Sequence, residues 1–257
     1  MKLKSTLLIS LFVASSFAIA DDNATNYKEG ISNKLKAYFN GQDIVNYVAE
    51  TPVANTYMVT LADGTNMIYF NDTDYAVVGD MYNMKNRENI SSNLKSGYNK
   101  EILNNFKPEE GIVFKSTNPN VKERIVYVFT DPTCGYCRKL HQGLAGYQAQ
   151  GITITYLPFP RGGKGGFAYN ELVDVWCSKD KRVAIDLAKN DRGEEIKTAE
   201  GYNINESCKA VVDKGSELGN KLGITGTPSL FTESGFMFPG YVEPARLREM
   251  VDKAESN

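Results

Sequence analysis

The chain is poor in the residues that build metal centres: one histidine and four cysteines among 257 residues. It also lacks an excess of basic charge, with 29 Lys and Arg against 31 Asp and Glu, which removes the electrostatic footprint of a nucleic-acid-binding protein. Beyond the first twenty residues no stretch approaches 18 consecutive apolar residues, so no later segment is expected to span a bilayer. Low-complexity tracts and internal repeats are missing as well, and what remains is an ordinary globular composition.

What is present begins at the N-terminus. Lys2 and Lys4 precede an apolar run from Leu7 to Ala14, and Ala18-Ile19-Ala20 supplies small residues at the usual cleavage spacing. Residues 1–20 are therefore expected to be a secretory signal peptide, its apolar core too short to serve comfortably as an anchor. Removal of the two leader lysines leaves 27 basic against 31 acidic residues, a net charge of −4. In an oxidising compartment outside the cytoplasm four cysteines can persist as disulfides, and two pairs are expected: 134 with 137, and 177 with 208. The remaining chain exceeds a typical domain of roughly 100–150 residues, so two domains are expected.

The stretch that carries chemistry runs from Phe129 to His141 and holds a C-x-x-C motif, Cys134-Gly135-Tyr136-Cys137. Ile125 to Phe129 is β-branched and aromatic and reads as a buried strand; Asp131-Pro132-Thr133 breaks it, and the residues after Cys134 suit a helix. A strand, a breaker and a helix opening on C-x-x-C is a redox context. Only a thiolate attacks a disulfide, and an ordinary cysteine, with a pKa of about 8.5, is mostly protonated at neutral pH. A helix N-terminus lowers that value to roughly 3.5–7.5. Cys134 is accordingly read as the nucleophile, and Cys137 as the resolving thiol that attacks the mixed disulfide and releases the substrate. Zinc binding and an inert 134–137 disulfide are the competing readings. Zinc would need two further ligands, and neither Cys177 nor Cys208 has a close partner.

Before the motif, Ile31, Leu35, Tyr38 and Phe39 stand at helical spacing, and Asn40-Gly41 ends that helix. Thr56–Leu61, Met67–Phe70 and Tyr75–Val78 read as a three-strand meander. This unit buries too little to stand comfortably alone, so residues 21–85 are predicted to form a dimerisation domain through an open strand edge, docking on the catalytic domain being the alternative. Residues 86–106 read as a solvated linker helix with Leu94, Tyr98 and Ile102 along one stripe, and 107–257 as the catalytic domain.

Within that domain Ile152–Leu157 is a strand and Pro158–Gly166 a loop. Arg161 and Lys164 do not follow phosphate-loop order and are read as solvated. Helical material is expected over Ala168–Leu187 and Cys208–Leu222. A Cys177–Cys208 bridge would close a loop worth roughly 3.5–4 kcal/mol on the chain-entropy model, and is read as structural. Gly223–Phe231 is a glycine-rich turn entering a strand through Thr227-Pro228, a bond that sequence physics alone makes trans. Phe236–Phe238 is a last strand, and a terminal helix runs from Pro244 to about Lys253. His141 is read as packed or solvent-exposed.

Three motifs in order, Phe129–His141, Val175–Lys181 and Gly223–Ser229, together resemble the DsbC/DsbG thiol:disulfide interchange proteins of the bacterial periplasm, and the similarity covers nearly the whole chain. The resemblance implies an α+β N-terminal dimerisation domain, a linker helix and an α/β thioredoxin-like catalytic domain, assembled as a V-shaped homodimer around an apolar cleft. It implies that Cys134 attacks and Cys137 resolves. Pro228 would be a cis-proline beside them, Thr227 would hydrogen-bond an extended substrate segment that Gly135 and Tyr136 also contact, and Cys177 and Cys208 would be the structural disulfide. Thioredoxins carry a buried acid six positions before the first cysteine, where this chain has Val128. The nearest acid is Asp131.

The function expected is a periplasmic disulfide isomerase with chaperone activity, acting on misfolded or reduced exported proteins and kept reduced by an inner-membrane thiol reductase. The alternatives are a dimeric dithiol oxidase served by a quinone-linked partner, and a non-catalytic chaperone. No metal, cofactor or nucleic acid is expected.

Overall fold

In the computed structural model residues 22–256 are described, with side chains from Lys28 onward; the expected signal peptide lies outside the described residues. Helix α1 (Asp22–Tyr38) precedes an antiparallel sheet of β1 (Val45–Glu50), β2 (Thr56–Leu61), β3 (Asn66–Phe70) and β4 (Tyr75–Val78), paired in that order. Ile31 and Leu35, one helical turn apart on α1, pack with Val48, Val59, Met67 and Tyr69 on one face of the sheet. Successive strand residues point to opposite faces, so Ala49, Met58 and Ile68 form a second cluster behind it.

The sheet therefore has four strands where the residue pattern predicts three. The missed strand is β1, whose alternation is broken by a register shift between Val45 and Tyr47. At the opposite edge, β4 presents Tyr75, Val77 and Val78 to solvent, with no strand beyond it among the described residues.

Two-residue strands β5 (Tyr82–Asn83) and β6 (Glu88–Asn89) lead into helix α2 (Ile90–Leu103), whose N-cap Asn89 accepts from the Ser92 N–H at 2.9 Å. This helix is shorter than the sequence expectation and is not solvated. On one side Leu94 reaches the second cluster of the N-terminal sheet, and Tyr98 stacks on Tyr47 at 4.8 Å. On the other, Ile102 and Leu103 join Phe129, Leu157, Phe159, Leu218 and Phe231 in the core of the second domain. Its polar spacing concealed this because a buried polar residue, Asn99, sits in the seam and donates to the Gly235 carbonyl at 2.9 Å.

The second domain is a five-stranded sheet of β7 (Ile112–Phe114), β8 (Arg124–Thr130), β9 (Ile152–Pro158), β10 (Ser229–Thr232) and β11 (Met237–Pro239), in the order β11-β10-β8-β9-β7. Only the β8–β9 pair is parallel, and α3 (Gly135–Gln142) and α4 (Leu144–Ala149) make its crossover. Alternation along β8 sends Val126 and Val128 into the larger core, and Tyr127 and Phe129 into the core shared with α2. Helices α5 (Phe167–Trp176), α6 (Lys181–Lys189), α7 (Glu206–Lys221) and α8 (Pro244–Ala254) supply the rest of these cores. The single helical stretch expected over 168–187 is two helices, because Asp180 caps a new one by accepting from the Arg182 and Val183 N–H groups.

The two domains meet partly through bare backbone. Gly64, at the β2–β3 turn with φ +82°, lies against Gly223; Gly235, with φ +88°, lies so close to α2 that a Cβ there would overlap the Ser96 carbonyl and the Lys100 backbone nitrogen. Gly235→Ala is thus expected to destabilise the protein by about 1–3 kcal/mol, combining a disfavoured φ with overpacking. A fall in the denaturant midpoint, together with faster hydrogen exchange along α2, would be its signature; an unchanged midpoint would show the contact to be dispensable.

Candidate active site

The site lies at the C-terminal end of β8. After Thr130 the chain turns through Asp131-Pro132-Thr133, and Cys134 is the N-cap of α3. The β8–β10 register pairs Ser229 with Phe129, which brings the preceding Thr227-Pro228 to the same end of the sheet. The Thr227–Pro228 bond is cis. Four of the residues singled out from sequence are thereby gathered at one place: in the fully protonated pair the Cys134 thiol donates to the Thr227 carbonyl at 3.1 Å, and Cys137 lies one turn inside α3. Both sulfurs belong to buried residues, Cys134 4% exposed and Cys137 1%.

The two thiols are pushed in opposite directions. The Cys137 thiol as hydrogen-bond donor, helped by the Thr227 hydroxyl, the Cys137 backbone N–H and the Arg161 charge, holds Cys134 down to about 5 in spite of its burial. Burial, and then the neighbouring Cys134, push Cys137 far up. Thr227 Oγ1 has no partner among the described residues in the protonated pair, which leaves it free to face a thiolate. Such a pair holds one nucleophilic sulfur and keeps a protonated one beneath it.

Gly135 and Tyr136 form the outward first turn of α3. A Cβ at Gly135 would meet nothing within 4 Å, and Tyr136 is 63% exposed and stacked with Tyr241 at 6.3 Å, leaving an aromatic surface beside the thiols. Cys177 and Cys208 lie elsewhere, bonded to each other between the end of α5 and the first turn of α7, with Cα atoms 5.1 Å apart. Among the described residues no cluster of three or more His, Cys, Asp or Glu could hold a metal.

Asp131 is 1% exposed and every oxygen is taken: Oδ1 accepts from the Thr133 N–H and hydroxyl at 2.7 and 2.6 Å, and Oδ2 from the Arg161 N–H and Nε at 3.0 and 3.1 Å. Burial would raise its pKa, but these hydrogen bonds outweigh it and hold the carboxylate below its usual range. Arg161 is therefore not merely a solvated loop residue. It pins the turn that precedes the cysteines, and its charge acts on Cys134. Arg138, the residue after Cys137, donates to the Pro132 carbonyl at 2.7 Å and pairs bidentately with Asp191, which ties α3 to the end of α6.

His141 is buried, between Tyr156 and Asp186, and burial followed by the charge of Lys189 pushes it down to about 4, so it is neutral at neutral pH. The residue that sequence reasoning missed outright is Lys189. Four positions after Ile185, it falls on the buried stripe of α6, and that helical spacing is the one signal in the sequence that points to it.

Comparison with known proteins agrees with this architecture. A family model described as a thioredoxin-like domain matches residues 114–255. The thiol:disulfide interchange protein DsbC of Escherichia coli is 33% identical over 97% of this chain and 96% of its own length, and that of Haemophilus influenzae 31% identical over 98% and 99%. Among solved structures, a linker-deletion mutant of Proteus mirabilis ScsC superposes with a TM-score of 0.50 at 17% identity, over 63% of this chain and 84% of that one, a likeness of fold alone. With near-complete coverage at this identity, the chain belongs to the DsbC family of thiol:disulfide interchange proteins.

Proposed function

We propose that the protein is a dimeric disulfide isomerase of the periplasm, in which Cys134 attacks a misplaced disulfide of an exported protein and Cys137 resolves the mixed disulfide when rearrangement stalls. A thiolate with a low pKa is both populated at neutral pH and a good leaving group, so it can enter and leave mixed disulfides repeatedly. Thr227 and Pro228, with Gly135 and Tyr136, would seat the extended substrate segment, and Cys177–Cys208 would be structural.

The observation that carries the dimeric reading is the open edge of β4. Tyr75 and Val78 are each 73% exposed, an apolar strand edge of the kind that a second copy covers by strand pairing. Two copies joined there would set two reactive arms around one substrate, an arrangement suited to repeated thiol exchange on a misfolded chain, and the redox state in which the pair is held would separate isomerisation from oxidation. A reductase in the inner membrane would keep the pair reduced; a quinone-linked oxidase would be its counterpart if the pair is held oxidised.

Refolding of a scrambled disulfide protein tests this reading directly. Reshuffling is expected with the full chain, to vanish with Cys134→Ala and to fall at least tenfold when residues 21–85 are deleted; equal activity of the truncated monomer would overturn the dimer argument. Cys134→Ala should still suppress aggregation of a reduced client if the cleft has chaperone activity. Trapping of the thiols in cells with a mobility-shifting alkylating reagent is expected to find Cys134 and Cys137 mostly reduced, and mostly oxidised thiols would favour the oxidase.

The pH dependence has a definite sign. A thiol whose pKa is depressed to about 5 in the folded protein is a thiolate above that value and is neutralised below it. Alkylation of Cys134 by iodoacetamide should therefore hold its rate from neutral pH downward and fall only through about pH 5, whereas an ordinary thiol loses reactivity below about 8.5. The stabilisation of the reduced fold by this thiolate is complete above the ordinary thiol value of about 8.5, declines as the pH falls below it, and is gone below about 5.

A further inference from the structure

Most of the polar side chains around the thiols already have a task. Asp131 and Arg161 fix the turn, Arg138 clamps α3 to the end of α6, and Lys189, 2% exposed, donates to Thr130 Oγ1 at 2.8 Å. A large side chain that touches the site and still lacks a task is Tyr241, in the turn between β11 and α8.

The backbone of Tyr241 belongs to the proline side of the site. Ser229 pairs with Pro239, and the next residue, Gly240, donates its N–H to the Pro228 carbonyl at 2.9 Å. Its ring belongs to the cysteine side. That ring stacks on Tyr136, with centroids 6.3 Å apart and planes 24° from parallel, and Lys139, three residues further along α3, places Nζ 4.3 Å from its centre. Two more contacts fix the turn: the buried Tyr147 donates to the Val242 carbonyl at 2.5 Å, and Lys139 pairs with Glu243 at 3.4 Å. Tyr241 therefore spans the site, from the cis-proline to the helix that carries both cysteines.

The consequence falls on Tyr136. The second domain exposes the large apolar side chains of Val121, Tyr136, Phe167, Val183 and Ile204. Among the described residues, Tyr136 alone of these is stacked on a second ring, and it alone stands inside the C-x-x-C motif. An exposed tyrosine left to itself moves among rotamers and gives up that freedom on binding; one backed by a ring has already given it up. Tyr241 covers part of the Tyr136 ring, and the rest stays open beside the attacking sulfur. Such a surface favours another ring, because an aromatic pair adds roughly two- to tenfold to an affinity beyond what burial supplies. Aromatic side chains that a finished fold would bury are exposed in a misfolded one, so this preference directs exchange to unfinished chains.

We propose that Tyr241 is a positioning residue for substrate selection: it holds the Tyr136 ring as a platform for an aromatic side chain next to the substrate cysteine. The proposal deepens the isomerase reading and rests on Cys134 as the attacking sulfur, with the substrate segment running past Tyr136.

Two short peptides test it, each carrying a cysteine as its mixed disulfide with thionitrobenzoate. Phenylalanine flanks the cysteine on both sides in one, and serine in the other. The Cys134 thiolate bonds to the peptide sulfur, the bond to thionitrobenzoate breaks, and the coloured thionitrobenzoate leaves with the electron pair. Rates are measured by stopped flow on the full-length reduced protein, each divided by the rate of reduced glutathione with the same peptide, which removes their intrinsic reactivity. The wild type is expected to favour the phenylalanine peptide roughly fivefold. Tyr241→Ala should bring that ratio below about 1.5, and Tyr241→Phe, which keeps the ring, should retain it. The ratio is the readout because damage to the fold slows both peptides together and leaves their ratio alone. A wild type without preference overturns the proposal, as does a wild-type ratio in Tyr241→Ala or a collapsed one in Tyr241→Phe. If Tyr241→Ala does not fold, Tyr136→Ala at its exposed position decides, and a wild-type ratio there overturns the proposal equally. Failure of the wild type to release thionitrobenzoate from either peptide would instead refute the Cys134 assignment on which this one rests.

Discussion

The site is governed by one constraint: two sulfurs close together in a buried pocket can carry only one negative charge. A second thiolate would lack both water and a partner, so Cys134 loses its proton to solvent while Cys137 keeps its own and hydrogen-bonds the thiolate. Everything nearby fits that asymmetry. The N-terminus of α3 and Arg161 favour the charge on the outer sulfur, while burial opposes it on the inner one. Asp131, which could have competed as a base, is instead consumed as the anchor of the turn, its four hydrogen bonds fixing where Cys134 starts the helix.

The sequence disclosed the parts of this arrangement that depend on local chemistry. Cys134, Cys137, the breaker before them and the Thr227-Pro228 turn were readable because strand, turn and helix-cap preferences act over a few residues. The contacts that give those residues their properties were not readable in the same way. Arg161 looked like a loop cation because its partner, Asp131, is 30 positions away and only the sheet brings them together. Strand β1 escaped because a bulge spoils its period, and α2 passed for a solvated helix because its seam is sealed by Asn99 and by glycines whose close approach leaves no hydrophobic signal.

Those glycines also bear on how the two domains are held. The Gly64–Gly223 contact joins the N-terminal sheet to the start of the segment that carries Thr227 and Pro228, and Asn99–Gly235 joins α2 to its end. Backbone packed on backbone has no side-chain freedom to absorb a displacement, so such contacts are sensitive to small changes in spacing. The strand β10 that follows Pro228 is therefore gripped at both ends from outside its own domain. The position of Thr227 beside Cys134 depends on the docking of the N-terminal sheet as well as on the register with β8.

The same reasoning accounts for how a bare ammonium can be kept in this core. Helix α6 has only nine residues, yet its root is doubly fixed: Asp180 caps it, and three positions earlier Cys177 is bonded to Cys208 on α7. Closing that loop is worth roughly 3.5–4 kcal/mol by chain entropy, comparable with the several kcal/mol that burying an ion costs. At the far end Lys189 occupies the last turn, where unpaired carbonyls and the negative end of the helix dipole favour a cation. Arg138 and Asp191 clamp that end to α3. A helix left free at either end would swing its lysine out to water, since hydration of the ammonium outweighs one hydrogen bond to Thr130. Held at both ends it cannot, and the charge stays where the sulfurs feel it.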